Sequence, residues 1–153
     1  MKDRKFLVSV VGGHKCDEST SLLAEEIGEA VAGIGAIVVC GGLGGIMEAA
    51  CRGAKKAGGF TIGIIPGEDK EEANQFVDVV IPTGMGYSRN ALVAAAGDVV
   101  IALAGEYGTL SEIGFALVGG KPVYGFKSWD IPGVEQMESI DELKNRLKSH
   151  RSQ

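Results

Sequence analysis

Cysteine is scarce in this 153-residue chain, at Cys16, Cys40 and Cys51 only. The number is odd and no C-x-x-C spacing occurs, which argues against a disulfide framework, against a thiolate metal site and for a reducing compartment. Basic charge is also short. Fifteen Lys and Arg face twenty Asp and Glu, for a net charge of −5 and a pI of about 5.1. A surface that follows a phosphate backbone needs the opposite balance, so nucleic acid is not an expected partner. No apolar run is long enough to span a membrane. The first one, Phe6 to Val11, is too short for a signal peptide and stops at Gly12-Gly13-His14. The expected location is the cytoplasm, with no membrane partner. Two nucleotide signatures are missing as well. No G-x-G-x-x-G fits, because Met47 occupies the third glycine position counted from Gly42. No Walker A sequence occurs, because Gly120-Lys121 runs into Pro122 and Phe115 stands where the first glycine belongs. Neither NAD nor a P-loop triphosphatase follows.

What the chain does have is glycine. Its 24 glycines fall mainly at the ends of apolar runs, which makes them turns and not low complexity. With 45% hydrophobic and 23% charged residues, the length fits one domain over residues 1–153. The stretch Asp98 to Glu112 organises the rest. Val99 to Leu103 is a continuous apolar run of strand length. Gly105, Glu106, Tyr107 and Gly108 make a tight turn, and Thr109 to Leu117 reads as a helix with Thr109 at its cap and Ile113 and Leu117 on one face. A strand, a glycine turn and a capped helix form half of an anion site, since backbone N–H groups and the positive end of the helix dipole converge there. Gly105, Gly108 and Thr109 are the binding candidates. Glu112, three residues past the cap, points back within reach of a ligand.

In chain order, Phe6–Val11 reads as the first strand, closed by Gly12 and Gly13. The loop His14, Lys15, Cys16 has two open readings: phosphate or ribose contact through backbone N–H groups and Lys15, or an ordinary turn with a solvated lysine. Ser19, Thr20 and Ser21 offer caps for a helix carrying Leu22, Leu23, Ile27, Ala30 and Val31, which Gly33-Ile34-Gly35 closes. Ala36 to Cys40 is the second strand. It runs straight into a second glycine cluster, Gly41, Gly42, Gly44 and Gly45, and a helix continues to about Lys56. That cluster is the other half of the anion site. Met47, Ala50 and Ala54 read as core, and Glu48 as a first-turn carboxylate that suits the dipole. Phe60–Ile65 is the third strand, stopped by Pro66-Gly67. Glu68–Gln75 is a polar loop or short helix, and Val77–Ile81 is the fourth strand. Thr83 to Asn90 leads into a small-residue helix ending at Ala96. Arg89 opposes the dipole of that helix, so it either holds a phosphate by bidentate hydrogen bonds or is a solvated arginine. Lys121–Phe126 is a further strand and Ser128–Glu138 is irregular. Ser139-Ile140-Asp141-Glu142 is a capping box for a last helix with Leu143 and Leu147, and Ser149–Gln153 is a frayed tail.

Strands alternate with helices, and the strands are apolar throughout. The expected architecture is α/β, a single doubly wound parallel sheet of Rossmann type with helices on both faces. Ligands of such sheets bind outside the carboxyl ends of the strands, near the switch in strand order. The loops after the first, second, fourth and fifth strands therefore face one edge and bring the Gly12 turn, the Gly41 cluster, Arg89 and the Gly105–Glu112 turn together for a small phosphorylated ligand.

Two of these segments, Gly41-Gly42-Leu43-Gly44-Gly45-Ile46-Met47-Glu48-Ala49 and Gly105-Glu106-Tyr107-Gly108-Thr109-Leu110-Ser111-Glu112, resemble the paired signatures of the LOG-like (SLOG) Rossmann superfamily. That group includes cytokinin-activating phosphoribohydrolases, once misnamed lysine decarboxylases, and molybdenum cofactor carrier proteins. The resemblance runs from Phe6 to Phe126. The phosphoribohydrolase motif is P-G-G-x-G-T-x-x-E. Gly105, Gly108, Thr109 and Glu112 match it, while Ala104 replaces the proline and Glu106 the second glycine. Arg89 matches the arginine of a catalytic Arg-Lys pair, and Asn90 replaces the lysine. Met47-Glu48 replaces Met-Gly, a form closer to the cofactor carriers and to a bacterial and archaeal branch. The cysteine pattern leaves no metal expected, and the resemblance implies a ligand such as an AMP-like nucleotide or a molybdopterin-type cofactor. One implied function is a carrier or sensor that binds without turnover. The other is hydrolysis of the N-glycosidic bond of a nucleoside 5′-monophosphate, with Arg89 on the ribose phosphate and Glu112 activating water or stabilising the ribosyl cation. Glu106 tilts the expectation toward binding, since a carboxylate inside the turn repels the phosphate of an AMP-like ligand unless it points outward or meets a cation. No pyridoxal-phosphate architecture supports a decarboxylase. The resemblance also implies a homodimer or homotetramer, for which the helix Ala91–Ala96 suits close packing between subunits or, equally, packing under the sheet.

Overall fold

A computed structural model describes residues 3–153; residues 1 and 2 of the expected domain lie outside them. Strand β1 (Leu7–Val11) forms the middle of a seven-stranded sheet. On one side of it lie β2 (Ile37–Cys40), β3 (Thr61–Ile65) and β4 (Val79–Pro82). On the other lie β5 (Val99–Ala102), β6 (Val123–Gly125) and β7 (Val134–Gln136). The order is β4-β3-β2-β1-β5-β6-β7 and every pairing is parallel. The expected doubly wound α/β sheet is therefore the observed one.

Two apolar layers cover the sheet. Helices α1 (Glu18–Gly33), α2 (Ile46–Lys56) and α5 (Ile140–Arg151) pack on one face through Ile27, Val31, Ile46, Ala50, Leu143 and Leu147. Helices α3 (Asn90–Ala96) and α4 (Tyr107–Val118) pack on the other through Val93, Ala94, Ile113 and Ala116. Helices α1 and α2 approach closely because Gly28 and Gly53 carry no Cβ. One placed on Gly28 would stand 2.0 Å from Ala50 O, and one on Gly53 would stand 1.9 Å from Glu25 O.

Four expectations need correction. α1 starts at Glu18 and is capped by Asp17, whose carboxylate accepts from Thr20 N at 2.8 Å. Ser19, Thr20 and Ser21 are inside the helix. α4 starts at Tyr107 with Glu106 in the cap position, so Thr109 sits in its first turn and does not cap it. Ser128–Glu138 contains β7, which its register with β6 creates (Val123↔Val134, Gly125↔Gln136). Three residues carry no apolar run to reveal such a strand. β4 is an edge strand with Val79 and Ile81 exposed, so the expectation of strands buried on both faces fails there. In addition, α5 extends to Arg151, past the start of the expected frayed tail.

Candidate functional site

Strand order reverses beside β1, where β2 and β5 flank it, and the loops leaving these strands meet at the carboxyl edge. Gly13 N donates to Ala104 O at 2.9 Å and joins the loops after β1 and β5. Gly13 O accepts from Ile46 N at 3.0 Å and joins the first loop to the start of α2. Close approach at two positions requires glycine. Gly45 has φ +62, and a Cβ there would lie 2.4 Å from the His14 carbonyl carbon. A Cβ on Gly105 would lie 2.0 Å from Thr109 Oγ1 and 3.0 Å from Gly13 N. Three backbone turns thus close on one another beside the first turns of α2 and α4, the arrangement that presents N–H groups to an anion.

The structure brings Gly12, Gly13, Gly45, Gly105 and Thr109 into this cradle. Gly44 lies at its rim, 3.5 Å from His14 O by its absent Cβ. Gly108 lies on the α4 side, and its carbonyl accepts from Asn90 Nδ2 at 3.4 Å. Gly42 turns away. With φ +78 it packs on Gly63 and Ile65, and its carbonyl accepts from Asn74 N at 2.8 Å. Lys15 lines an open cavity of about 460 Å³ beside the cradle, between the starts of α1 and α2, with His14, Cys16, Asp17, Glu48 and Arg52. That volume is within the range of small-molecule sites. Arg52 is engaged with Glu25 at 3.0 Å, whereas Lys15 has no ion-pair partner among the described residues.

Arg89 and Glu112 sit together beneath the cradle on the α3/α4 side. Arg89 is 6% exposed, so it is not a solvated arginine. Its Nε donates to Ile64 O at 2.9 Å, its Nη2 to Gly41 O at 3.3 Å and its Nη1 to Asn90 Oδ1. The guanidinium ties the end of β3 to the loop after β2, and burial lowers its pKa against the opposing pull of Glu112. Gly41 makes room for it, since a Cβ there would meet Nη2 at 2.6 Å. Glu112 is 7% exposed and has no hydrogen-bond partner among the described residues. Burial pushes its carboxyl up to about 8, with the Arg89 charge pulling the other way, so it is neutral at pH 7. Glu106 is exposed and makes no capping bond. Its carboxylate is therefore hydrated, and water weakens the repulsion expected between it and a phosphate.

Two contributors escaped the sequence reading. Asn90 accepts from Arg89 and donates to Gly108 O and Ser111 Oγ, linking the α3 start to the α4 turn. Trp129 donates its Nε1 to Glu106 O at 3.2 Å. A polar side chain directly after Arg89 was the only mark of the first; the second reaches its partner across 23 residues, which no local pattern records.

Comparison with known proteins yields three findings. The sequence profile of the SLOG cluster4 family matches residues 5–152. A cytokinin riboside 5′-monophosphate phosphoribohydrolase of Mycobacterium tuberculosis is 34% identical over 156 aligned positions, covering 83% of this chain and 83% of that protein. Two solved structures superpose along their length. The molybdenum cofactor binding protein from the phototrophic bacterium Rippkaea orientalis does so with TM-score 0.89 at 34% identity, over 96% of this chain and 98% of that one. The molybdenum cofactor carrier protein from Chlamydomonas reinhardtii does so with TM-score 0.88 at 30% identity, over 98% and 100%.

Proposed function

This chain belongs to the SLOG cluster4 family, and on that premise we propose that it holds a phosphorylated nucleotide-like ligand, a nucleotide or a molybdenum-cofactor-type pterin, as a carrier or sensor. The observation that carries the reading is the closed set of glycine turns at the switch in strand order, tied by the Gly13–Ala104 and Ile46–Gly13 hydrogen bonds. A phosphate on this cradle meets the N–H ends of two helix starts, with Lys15 close by to offset the carboxylates of Asp17 and Glu48. Glu112, its carboxyl pushed up to about 8 by burial, adds little negative charge near the site at pH 7. Arg89 acts as a positioning residue, holding the Gly41 turn with three of its five donors. The two cofactor-binding relatives of known structure support the same reading.

The second reading is a nucleoside 5′-monophosphate phosphoribohydrolase. The match of Gly105, Gly108, Thr109 and Glu112 to its motif favours it, as does the mycobacterial relative. Two observations weigh toward binding. The Arg89 guanidinium is buried with three of its five N–H groups given to protein acceptors, and a Glu112 carboxyl pushed up to about 8 is mostly in the acid form at pH 7, the wrong form for a general base. Incubation with AMP, GMP, CMP, UMP and IMP, with free base and ribose 5-phosphate quantified, separates the two. Saturable binding without release supports the carrier or sensor. Release that vanishes in Glu112→Gln supports the enzyme. Neither binding nor release refutes both.

The homo-oligomer belongs to the same proposal. Val79 and Ile81 share a sheet face with Ile62 and Ile64, and they are exposed together with Leu92, Phe115 and Val118 on the α3/α4 side. An apolar surface of this kind is what a second copy covers. Sedimentation of the purified protein gives its mass. The acidic balance supports a small ligand over nucleic acid, and the three free cysteines support a cytoplasmic location. Among the described residues no helix is long and apolar enough to cross a membrane.

A further inference from the structure

The loop after β6 carries features the sheet does not need. Lys127 has φ +50 and is the only non-glycine residue with positive φ among the described residues. The hydroxyl of Ser128 is buried without a hydrogen-bond partner among them. Left-handed backbone at a lysine and an orphaned hydroxyl both cost free energy, and such costs gather where a site is shaped for a ligand. These two residues present Trp129, the only tryptophan in the chain.

Trp129 is held from two sides. Its Nε1 donates to Glu106 O at 3.2 Å, and its carbonyl accepts from Gln136 Nε2 at 3.4 Å. Its ring stacks on Tyr107 with centroids 6.2 Å apart and planes 30° apart. Tyr107 opens α4 between Gly105 and Gly108 of the cradle, yet it is 80% exposed. An anchored indole and a free phenol therefore stand at the mouth of the glycine cradle.

We propose that Tyr107 and Trp129 are the ring-binding wall of the site, on which a planar heteroaromatic group of the ligand stacks while its phosphate rests on the glycine turns. The inference rests on the phosphate-binding reading above and names the other end of the same ligand. Tyr107 is 80% exposed, so its outer face is open to a ligand ring while Trp129 backs the other. Every base or pterin has a π-face, so the wall selects for a flat ring and leaves the identity of the ring to its edges.

The single tryptophan makes the test direct. Full-length protein is titrated with AMP, GMP and neopterin monophosphate, and with ribose 5-phosphate as the ringless control, by calorimetry and by Trp129 emission. The expected result is saturable change of emission with a ring-bearing ligand and none with ribose 5-phosphate. Tyr107→Ala weakens the ring-bearing ligand about tenfold or more and leaves ribose 5-phosphate unchanged. Tyr107→Phe restores the affinity. If ribose 5-phosphate binds as tightly as every ring-bearing probe and Tyr107→Ala alters none of them, the wall is refuted and the cradle stands. If calorimetry detects none of the four, the phosphate-binding reading itself is refuted, and the wall with it.

Discussion

Glu112→Gln is expected to make the protein more stable at neutral pH and to leave it unchanged in acid. The carboxyl has an ordinary value of 4.5 and a folded value of about 8. Below 4.5 both the folded and the unfolded chain hold the proton, and burial of the acid carries no ionisation cost. As pH rises from 4.5 toward 8, the unfolded chain releases the proton and the folded one keeps it. The folded state then binds more protons, so stability falls with pH, opposite to the usual effect of a salt-bridged carboxylate. Each pH unit in that window removes about 1.4 kcal/mol, which amounts to roughly 3 kcal/mol by pH 7. Above 8 the loss is complete and the curve flattens. Glutamine has the same shape and no proton to lose, so the difference between variant and parent isolates this one group. For a chain of this length the difference at pH 7 corresponds to roughly 6–12 °C in Tm. Urea unfolding of both proteins from pH 4 to 9 measures it. Parallel stability curves, or a variant less stable at pH 7 than its parent, would refute the buried neutral carboxyl. They would also remove the reason for treating Glu112 as a group of little charge at neutral pH. If the enzyme reading holds instead, its rate rises with pH through about 8, as the base form appears.

Other measurements address the rest of the site. Gly45→Ala forces a Cβ against the His14 backbone at positive φ, and a loss of about 2 kcal/mol or more in urea unfolding is expected, with loss of nucleotide binding. Arg89→Lys cannot reach Ile64 O, Gly41 O and Asn90 Oδ1 together, so buried acceptors lose partners and stability drops by about 2–3 kcal/mol. An unchanged midpoint would show that Arg89 does not hold the Gly41 turn. In native protein a thiol reagent titrates one cysteine, the exposed Cys16, and reaches Cys40 and Cys51 only after unfolding, since these two lie buried with sulfurs 3.5 Å apart. Rapid labelling of all three would contradict their burial.

The order of strands and helices was legible because continuous apolar runs separated by glycine are visible in any reading frame. The edge of the sheet that carries the loops was legible too, since a parallel sheet places every strand-to-helix turn at one end. What escaped depended on partners distant in sequence. β7 exists through pairing with β6 and has no pattern of its own. Asp17 took the cap from Ser19, Thr20 and Ser21 because the chain leaves the Gly13 loop extended at that residue, with φ −75 and ψ 172. Arg89 reads from the sequence as a phosphate clamp or a solvated side chain, and its burial removes the second reading. Its three acceptors come from β3, from the loop after β2 and from its own neighbour, a set only the assembled sheet creates. The cap position of Glu106 likewise follows from the start of α4, which lies about one turn earlier than the sequence cap indicates.

The hydrogen bond from Gly13 to Ala104 also has a kinetic meaning. β1 gains β2 early, as the next strand in the chain, but gains β5 only after three further strands have left toward the opposite edge. The seam where these late neighbours meet is the mouth of the cradle. Synthesis must pass α4 before the mouth can close, and closing so long a loop is slow. A ligand that fits the closed mouth binds the finished molecule and no shorter one, and it stabilises that molecule in proportion to the logarithm of its concentration over Kd. Occupancy therefore holds the seam between β1 and β5 closed, while the exposed outer strand β4 and the three-residue β7 remain the parts of the sheet that open most readily.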